Sequence, residues 1–254
     1  MMNQETVRKM NALKLYGMAH AFTSQIEAPS ASHLSFEERL GLLIDHEASF
    51  RDDRRLQRLL SSAKLREPAC IEDIDYQARR GLERASMSSL ALCNWITAGV
   101  NLAITGKTGV GKTWIACALG NQACRHGMTV KFERIPMLLE DLVVARADHT
   151  YRKRLAALAK LDLLILDDLG LTPLSTEGRS DLLEVAEARS GLKATVITSQ
   201  LPVKKWHEYL SGGNPTVADA IMDRLLGKGQ RIELSGESLR TGGHAKEAPA
   251  SLPA

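Results

Sequence analysis

Gly106-Lys107-Thr108-Gly109-Val110-Gly111-Lys112-Thr113 follows the apolar run at 101–105 (NLAIT) and opens an amphipathic stretch at 112–126. The pattern is GxxxxGK[ST] between a predicted strand and a predicted helix, the context in which it cradles phosphate. Backbone N–H groups must come within hydrogen-bonding distance of phosphate oxygens, and side chains at the glycine positions would block that approach. Lys112 then reaches the β and γ phosphates and Thr113 offers a hydroxyl to Mg²⁺, while the following helix aims its positive dipole end at the anion.

Outward from this loop, short apolar runs alternate with amphipathic segments. The predicted strands are 101–105, 129–133, 162–167, 193–198 and 230–234, with helical stretches near 112–126, 136–147, 175–190 and 216–226 between them. That alternation predicts an α/β fold: a wound parallel five-stranded sheet with helices on both faces. Leu163 to Leu166 form a buried strand that ends in Asp167 and Asp168. A carboxylate at such a strand end holds the metal of a phosphate-loop site, which assigns Asp167 to Mg²⁺ and leaves Asp168 to polarise the attacking water. Many ATPases carry the longer glutamate at the second position, so the sequence leaves open whether hydrolysis is fast or slow. Asp167 to Gly170 also spells DxxG, as guanine-nucleotide enzymes do, but the chain has no NKxD box to read guanine. An extra predicted strand, 129–133, separates the loop strand from the acidic strand, and ATP is the expected nucleotide.

The 254 residues suffice for one full domain and an appendage, and 44% hydrophobic with 25% charged residues excludes global disorder. The formal charge of +3 excludes a polycationic binder and leaves room for local basic faces. MMNQETVRKM has no apolar core for export, which points to the cytoplasm. The uncharged run at 85–106 is broken by serines, threonines and asparagines, so no membrane partner is expected. Four cysteines lack CxxC spacing and read as reduced core thiols. Aromatic residues make up only 4%, poor material for gripping single strands, so a nucleic-acid partner is expected to be duplex DNA.

Residues 1–66 read as helices only, with Ser35 and Glu38 forming a capping box ahead of Leu40, Leu43 and Ile44. Residues 67–98 read as a connector with a helix from about Met87 to Ala98, 99–240 as the nucleotide-binding domain, and 241–254 as a disordered tail. At 100° per residue, Arg51, Arg54, Arg55 and Arg58 share one helical stripe, opposite Leu56, Leu59, Leu60 and Ala63. Such a row meets phosphates without reading sequence, or is a solvated face. The clusters Arg79, Arg80, Arg84 and Arg152, Lys153, Arg154 leave the same two readings open.

The ordered set MNALKLYGMAHAF, FEERLGLLIDHE, GVGKT, LLILDDLGLTPL, VITSQLPVKKW, AIMDRLL and IELSGESLR resembles the IstB-type ATP-binding proteins of insertion sequences. These are relatives of the DnaC-type helicase loaders within the AAA+ ATPases. The resemblance runs from about Met10 to Arg240 and implies an ATP-dependent helper that assembles as a homo-oligomer on target duplex DNA and recruits or stimulates the element's transposase. A DnaC-like replicative helicase loader is the alternative; a small-molecule kinase would need an acceptor site and a lid, for which no signal is present. Carried onto this sequence, the resemblance implies Thr198 and Ser199 as the γ-phosphate sensor, Arg224 as an arginine finger and Arg240 as a nucleotide or interface contact. Thr198 and Ser199 read equally as a strand-end cap, and Arg224 as a surface charge. Only 20 residues follow Leu234, which implies no full C-terminal lid.

Overall fold

The computed structural model describes residues 2–27, 33–77 and 80–239. The chain divides into two compact units, 1–61 and 62–254. Arg79, Arg240 and the expected tail at 241–254 lie outside the described residues.

The first unit is helical: α1 (Met2–Ala12), α2 (Tyr16–Glu27) and most of α3 (Phe36–Ala63). The capping box forms as expected, Ser35 N donating to Glu38 Oε2 (2.7 Å) and Glu38 N to Ser35 Oγ (3.2 Å). Glu47 ties α2 to α3 by accepting from Met18 N (3.1 Å) and from Arg51 Nε (2.7 Å). Burial pushes the Glu47 carboxyl up, but hydrogen bonds from Arg51 and from the Met18 and Gly17 amides outweigh it and hold its pKa below the ordinary value.

The second unit opens with α4 (Arg84–Ala91) and α5 (Asn94–Thr97), where one helix from Met87 to Ala98 is expected. The break is at Cys93, whose φ of 59° takes it out of the helical well. Then come β1 (Leu102–Gly106), α6 (Lys112–Arg125), β2 (Val130–Arg134), α7 (Ile135–Ala147), α8 (Tyr151–Lys160) and β3 (Leu163–Leu169). They are followed by α9 (Thr176–Glu187), β4 (Ala194–Ser199), α10 (Trp206–Ser211), α11 (Pro215–Leu226) and β5 (Gln230–Leu234). Each strand lies within two residues of its expected bounds. All pairings are parallel, in the order β2-β3-β4-β1-β5.

Both faces of the sheet are covered, which is why its inner strands are continuous apolar runs. Leu163 to Leu166 are all buried. Leu164 and Leu166 join Leu138, Leu142, Leu182, Ile221 and Leu225 in the core beneath α7, α9 and α11, while Ile165 lies against Gly120 of α6. With a side-chain period of two, Asp167 shares the Ile165 face and emerges under the start of α6. Pro136 and Pro215 sit in first turns, and Ser175 and Asn214 cap α9 and α11 through Gly178 N and Val217 N. Among the described residues no helix is long and apolar enough to cross a membrane, and the four cysteines form no disulfide.

Arg189 is a buried staple, 1% exposed, in the turn after α9. Its guanidinium donates to the carbonyls of Leu158, Leu161 and Ala194 and to Thr195 Oγ1, closing the end of α8 onto β4. Burial lowers its pKa to about 10, so it stays charged at neutral pH. Arg189→Met leaves three carbonyls without their donor, at a cost of about 3 kcal/mol. The expected readout is a fall in Tm of roughly 6–12 °C in a thermal melt.

Candidate functional site

The phosphate loop joins β1 to α6 at the C-terminal edge of the sheet, where open parallel sheets bind ligands. Gly106, Gly109 and Gly111 have φ of 148°, 86° and 95°, conformations that favour glycine. Lys112 is 7% exposed and its Nζ donates to Gly106 O and Lys107 O, both at 2.8 Å. Val110 is buried, Lys107 is exposed, and Thr108 Oγ1 donates to Gln200 Oε1 (2.8 Å). The loop, with Lys112, Thr113 and Trp114, lines a cleft of about 580 Å³ whose other walls include Arg66, Arg80, Arg134, Asp168, Gln200 and Leu239.

Asp167 is fully buried beside this cleft. Its Oδ1 accepts from Thr113 Oγ1 (2.9 Å) and Thr198 Oγ1 (2.5 Å), while Oδ2 has no hydrogen-bond partner among the described residues. Burial raises its pKa, the neighbouring Asp168 charge adds to that, and the Thr198 and Thr113 hydroxyls and Arg66 oppose it. An orphaned buried carboxylate oxygen next to a threonine hydroxyl fits Mg²⁺, which takes one or two carboxylates and completes its shell with water and phosphate oxygens. Among the described residues no group of three or more His, Cys, Asp or Glu side chains converges on a metal position, so Thr113 and Asp167 would be the protein's share.

The two acids diverge because the β3–β4 ladder slips between them. Leu166 pairs with Ile197 but Leu169 with Ser199, so three steps on β3 oppose two on β4. This bulge leaves Asp168 at φ 68°, its N–H donating to Thr198 Oγ1 (3.1 Å). The Asp168 carboxylate turns into the cleft, where Oδ2 accepts from Arg134 Nε (3.0 Å) and forms an ion pair with Arg134 Nη2 (3.0 Å).

Thr198 and Ser199 are buried and directed into β3: Thr198 bonds Asp167, and Ser199 Oγ donates to Leu169 O (2.6 Å) while accepting from Leu201 N. The polar side chain that β4 presents to the cleft is the next one, Gln200. Gln200, Arg134 and Arg66 are absent from the sequence reading. The first two end or follow strands at the ligand edge of the sheet, which is the signal that finds them. Arg80, for which the sequence leaves a solvated or DNA-facing role open, is 5% exposed, donating to Val110 O (3.4 Å) and Asp75 O (3.0 Å) at the cleft wall. Leu239 N donates to Gly109 O (3.0 Å), so the residue preceding Arg240 touches the loop.

Arg224 sits elsewhere. Its carbonyl accepts from Asn101 Nδ2 (2.8 Å) just ahead of β1, at the sheet edge opposite the loop, and its side chain pairs with Glu187 and donates to Ala220 O. In the first unit, Arg51, Arg54, Arg55 and Arg58 line one groove of about 690 Å³ together with Lys14. Arg51 is committed to Glu47, Arg54 lies 5.6 Å over the Tyr16 ring and 5.8 Å over Phe50, and Arg58 Nε donates to Arg54 O.

The family model described as IstB-like ATP binding protein matches residues 8–247. The chain belongs to this family. An insertion-sequence ATP-binding protein of Sinorhizobium fredii is 50% identical over 240 residues, 94% of this chain and 97% of its own length. The ATP-binding protein of insertion sequence IS1162 from Pseudomonas fluorescens is 49% identical over 203 residues, 80% of this chain and 88% of its own. The IstB-family fold is also that of the DnaC helicase loader, with a TM-score of 0.55 at 21% identity over 65% of this chain and 96% of that one. The chain is thus a member of the IstB-like ATP binding protein family whose α/β domain, preceded by helices, has a fold similar to that of the DnaC helicase loader.

Proposed function

We propose that this IstB-family protein hydrolyses ATP with Mg²⁺, assembles as a homo-oligomer on duplex DNA in the cytoplasm, and recruits or stimulates the transposase of its element. The observation that carries the reading is that Lys112, Thr113 and Asp168 line one cleft, with Asp167 buried behind Thr113 and bonded to it, in a chain of this family. In this scheme the loop amides and Lys112 bind the β and γ phosphates, and Gln200 supports the γ end from the opposite wall. Thr113 and Asp167 would hold Mg²⁺, which would supply charge neutralisation for the phosphates. Asp168 takes a proton from the attacking water once Arg134 releases it.

The arginine groove of the first unit is the proposed duplex-binding surface. Its guanidinium groups, with no acidic wall beyond Glu47 and Asp52, suit phosphate oxygens and carry no base readout. Replacing Arg54, Arg55 and Arg58 with glutamine in the full chain is expected to weaken binding equally across duplex sequences. The slope of log K against log salt should flatten by about 0.9 for each phosphate that the variant no longer neutralises. Arg51→Gln also strips Glu47 of its ion-pair partner, so its effect includes a lower stability of the helical unit.

ATP turnover measured with and without duplex DNA, in the presence of the purified transposase, tests the whole reading. Duplex-stimulated hydrolysis and transposase capture support it. Preferential binding of the replicative helicase with no response to duplex replaces it with the loader function.

A further inference from the structure

Arg66 stands at the one oxygen of Asp167 that no hydroxyl uses. Its Nη1 lies 3.7 Å from Asp167 Oδ2, close enough for charge attraction, and that buried oxygen has no hydrogen bond among the described residues. Packing fixes the position. The Arg66 and Glu67 backbone lies against the Cys117 thiol on α6, and Leu65 fills the space over Gly120, where a Cβ would fall 2.9 Å from Leu65 Cδ2. Thr113, Cys117 and Gly120 are spaced four and three residues apart, one face of α6. Residues 65–67 therefore run along the face that begins at the proposed metal hydroxyl, and the side chain leaving that segment meets the proposed metal carboxylate.

A buried carboxylate beside a second acid needs a positive charge nearby, because little water screens it. Arg66 supplies that charge while making no hydrogen bond to Oδ2, so it leaves the oxygen's lone pairs open. It is 43% exposed, and its Nε lies 4.0 Å from Glu67 Oε1, which gives it a second anchor at the cleft wall. A guanidinium and a divalent cation close to the same oxygen repel one another, so one must give way.

We propose that Arg66 is the resident counter-ion of Asp167 and gates the metal position: it neutralises the carboxylate when the cleft is empty and turns outward when a metal–nucleotide complex enters. The consequence is that divalent metal binds with nucleotide and only weakly before it. This rests on the nucleotide-site reading above, and the test separates the two.

Mn²⁺ alone, titrated into the full-length protein and followed by the electron paramagnetic resonance signal of the free ion, is the probe. Arg66→Gln should bind Mn²⁺ about tenfold more tightly than wild type, and Arg66→Lys should stay close to wild type, because it keeps the charge. Arg66→Gln combined with Asp167→Asn should lose the gain. Equal Mn²⁺ affinity in wild type and Arg66→Gln, with binding still abolished by Asp167→Asn, overturns the counter-ion role and leaves the metal site standing. A gain in Arg66→Gln that survives Asp167→Asn places the ion elsewhere and overturns both. Thermal melts of each variant report folding, and Arg66→Lys preserves the comparison if the glutamine variant melts early.

Discussion

Lys112→Ala is expected to lose ATP turnover by at least ~10²–10³-fold, with ATP affinity falling alongside it. The lysine is almost enclosed, and its Nζ donates to the carbonyls of Gly106 and Lys107, at the turn where β1 gives way to the loop. An ammonium held at that point lies within the curl of backbone proposed to bind phosphate, where it would exchange two carbonyls for the β and γ oxygens. Alanine removes the cation and keeps every glycine, so the loop retains its φ angles and the loss is of charge. Asp167→Ala should differ in kind, since in the proposed site the carboxylate would meet the nucleotide only through the metal: hydrolysis falls and its dependence on Mg²⁺ concentration shifts. Fluorescent-nucleotide titration and phosphate release on both variants, with thermal melts as the folding control, separate these effects. Unchanged Mg²⁺-dependent hydrolysis in either variant removes that residue from the site.

The sheet and the loop are legible because buried parallel strands leave a coarse mark, an apolar run followed by a turn, that survives without any knowledge of neighbours. LLILDD announces both β3 and its strand-end acids. Elements defined by local exceptions leave no such mark. Tyr151 to Arg154 reads as a basic cluster, yet it opens α8, whose Tyr151 hydroxyl donates to Asp181 (2.6 Å) and whose Arg154 donates to Glu133 (2.8 Å). The helix is carried by Leu155 and Leu158, its two large aliphatic side chains in ten residues, too sparse a period to stand out. The left-handed Cys93 and the bulge at Asp167 and Asp168 depend on ladder register and packing, which residue types do not encode. That bulge decides the site: it sends Asp167 beneath α6 and Asp168 toward Arg134. The same limit hid Arg66 and Gln200, which acquire meaning only when distant segments meet at the sheet edge.

The finger role proposed for Arg224 predicts a defect that a second defective subunit repairs. Arg224 lies beside the residue that enters β1, and the phosphate loop begins five residues later at the strand's other end, about 16 Å away along the strand. No rotamer carries its guanidinium from one edge of the sheet to the other, so any contact with a γ-phosphate is made in another copy's cleft. Its pairing with Glu187 and Ala220 O holds the side chain on the surface in the single subunit, and docking of a neighbour has to compete with that pairing. Arg224→Ala should therefore bind ATP as wild type does and hydrolyse it about 10³-fold more slowly, the scale on which trans-acting arginines stabilise phosphoryl transfer. Wild-type turnover should rise steeply with protein concentration, whereas the variant's should stay flat. Mixing Arg224→Ala with Lys112→Ala supplies an intact loop from one chain and an intact arginine from the other. In an equal mixture about a quarter of head-to-tail interfaces combine the two, and activity should reappear in that proportion. Mixtures that remain inactive although cross-linking shows mixed assemblies would return Arg224 to its place as the partner of Glu187.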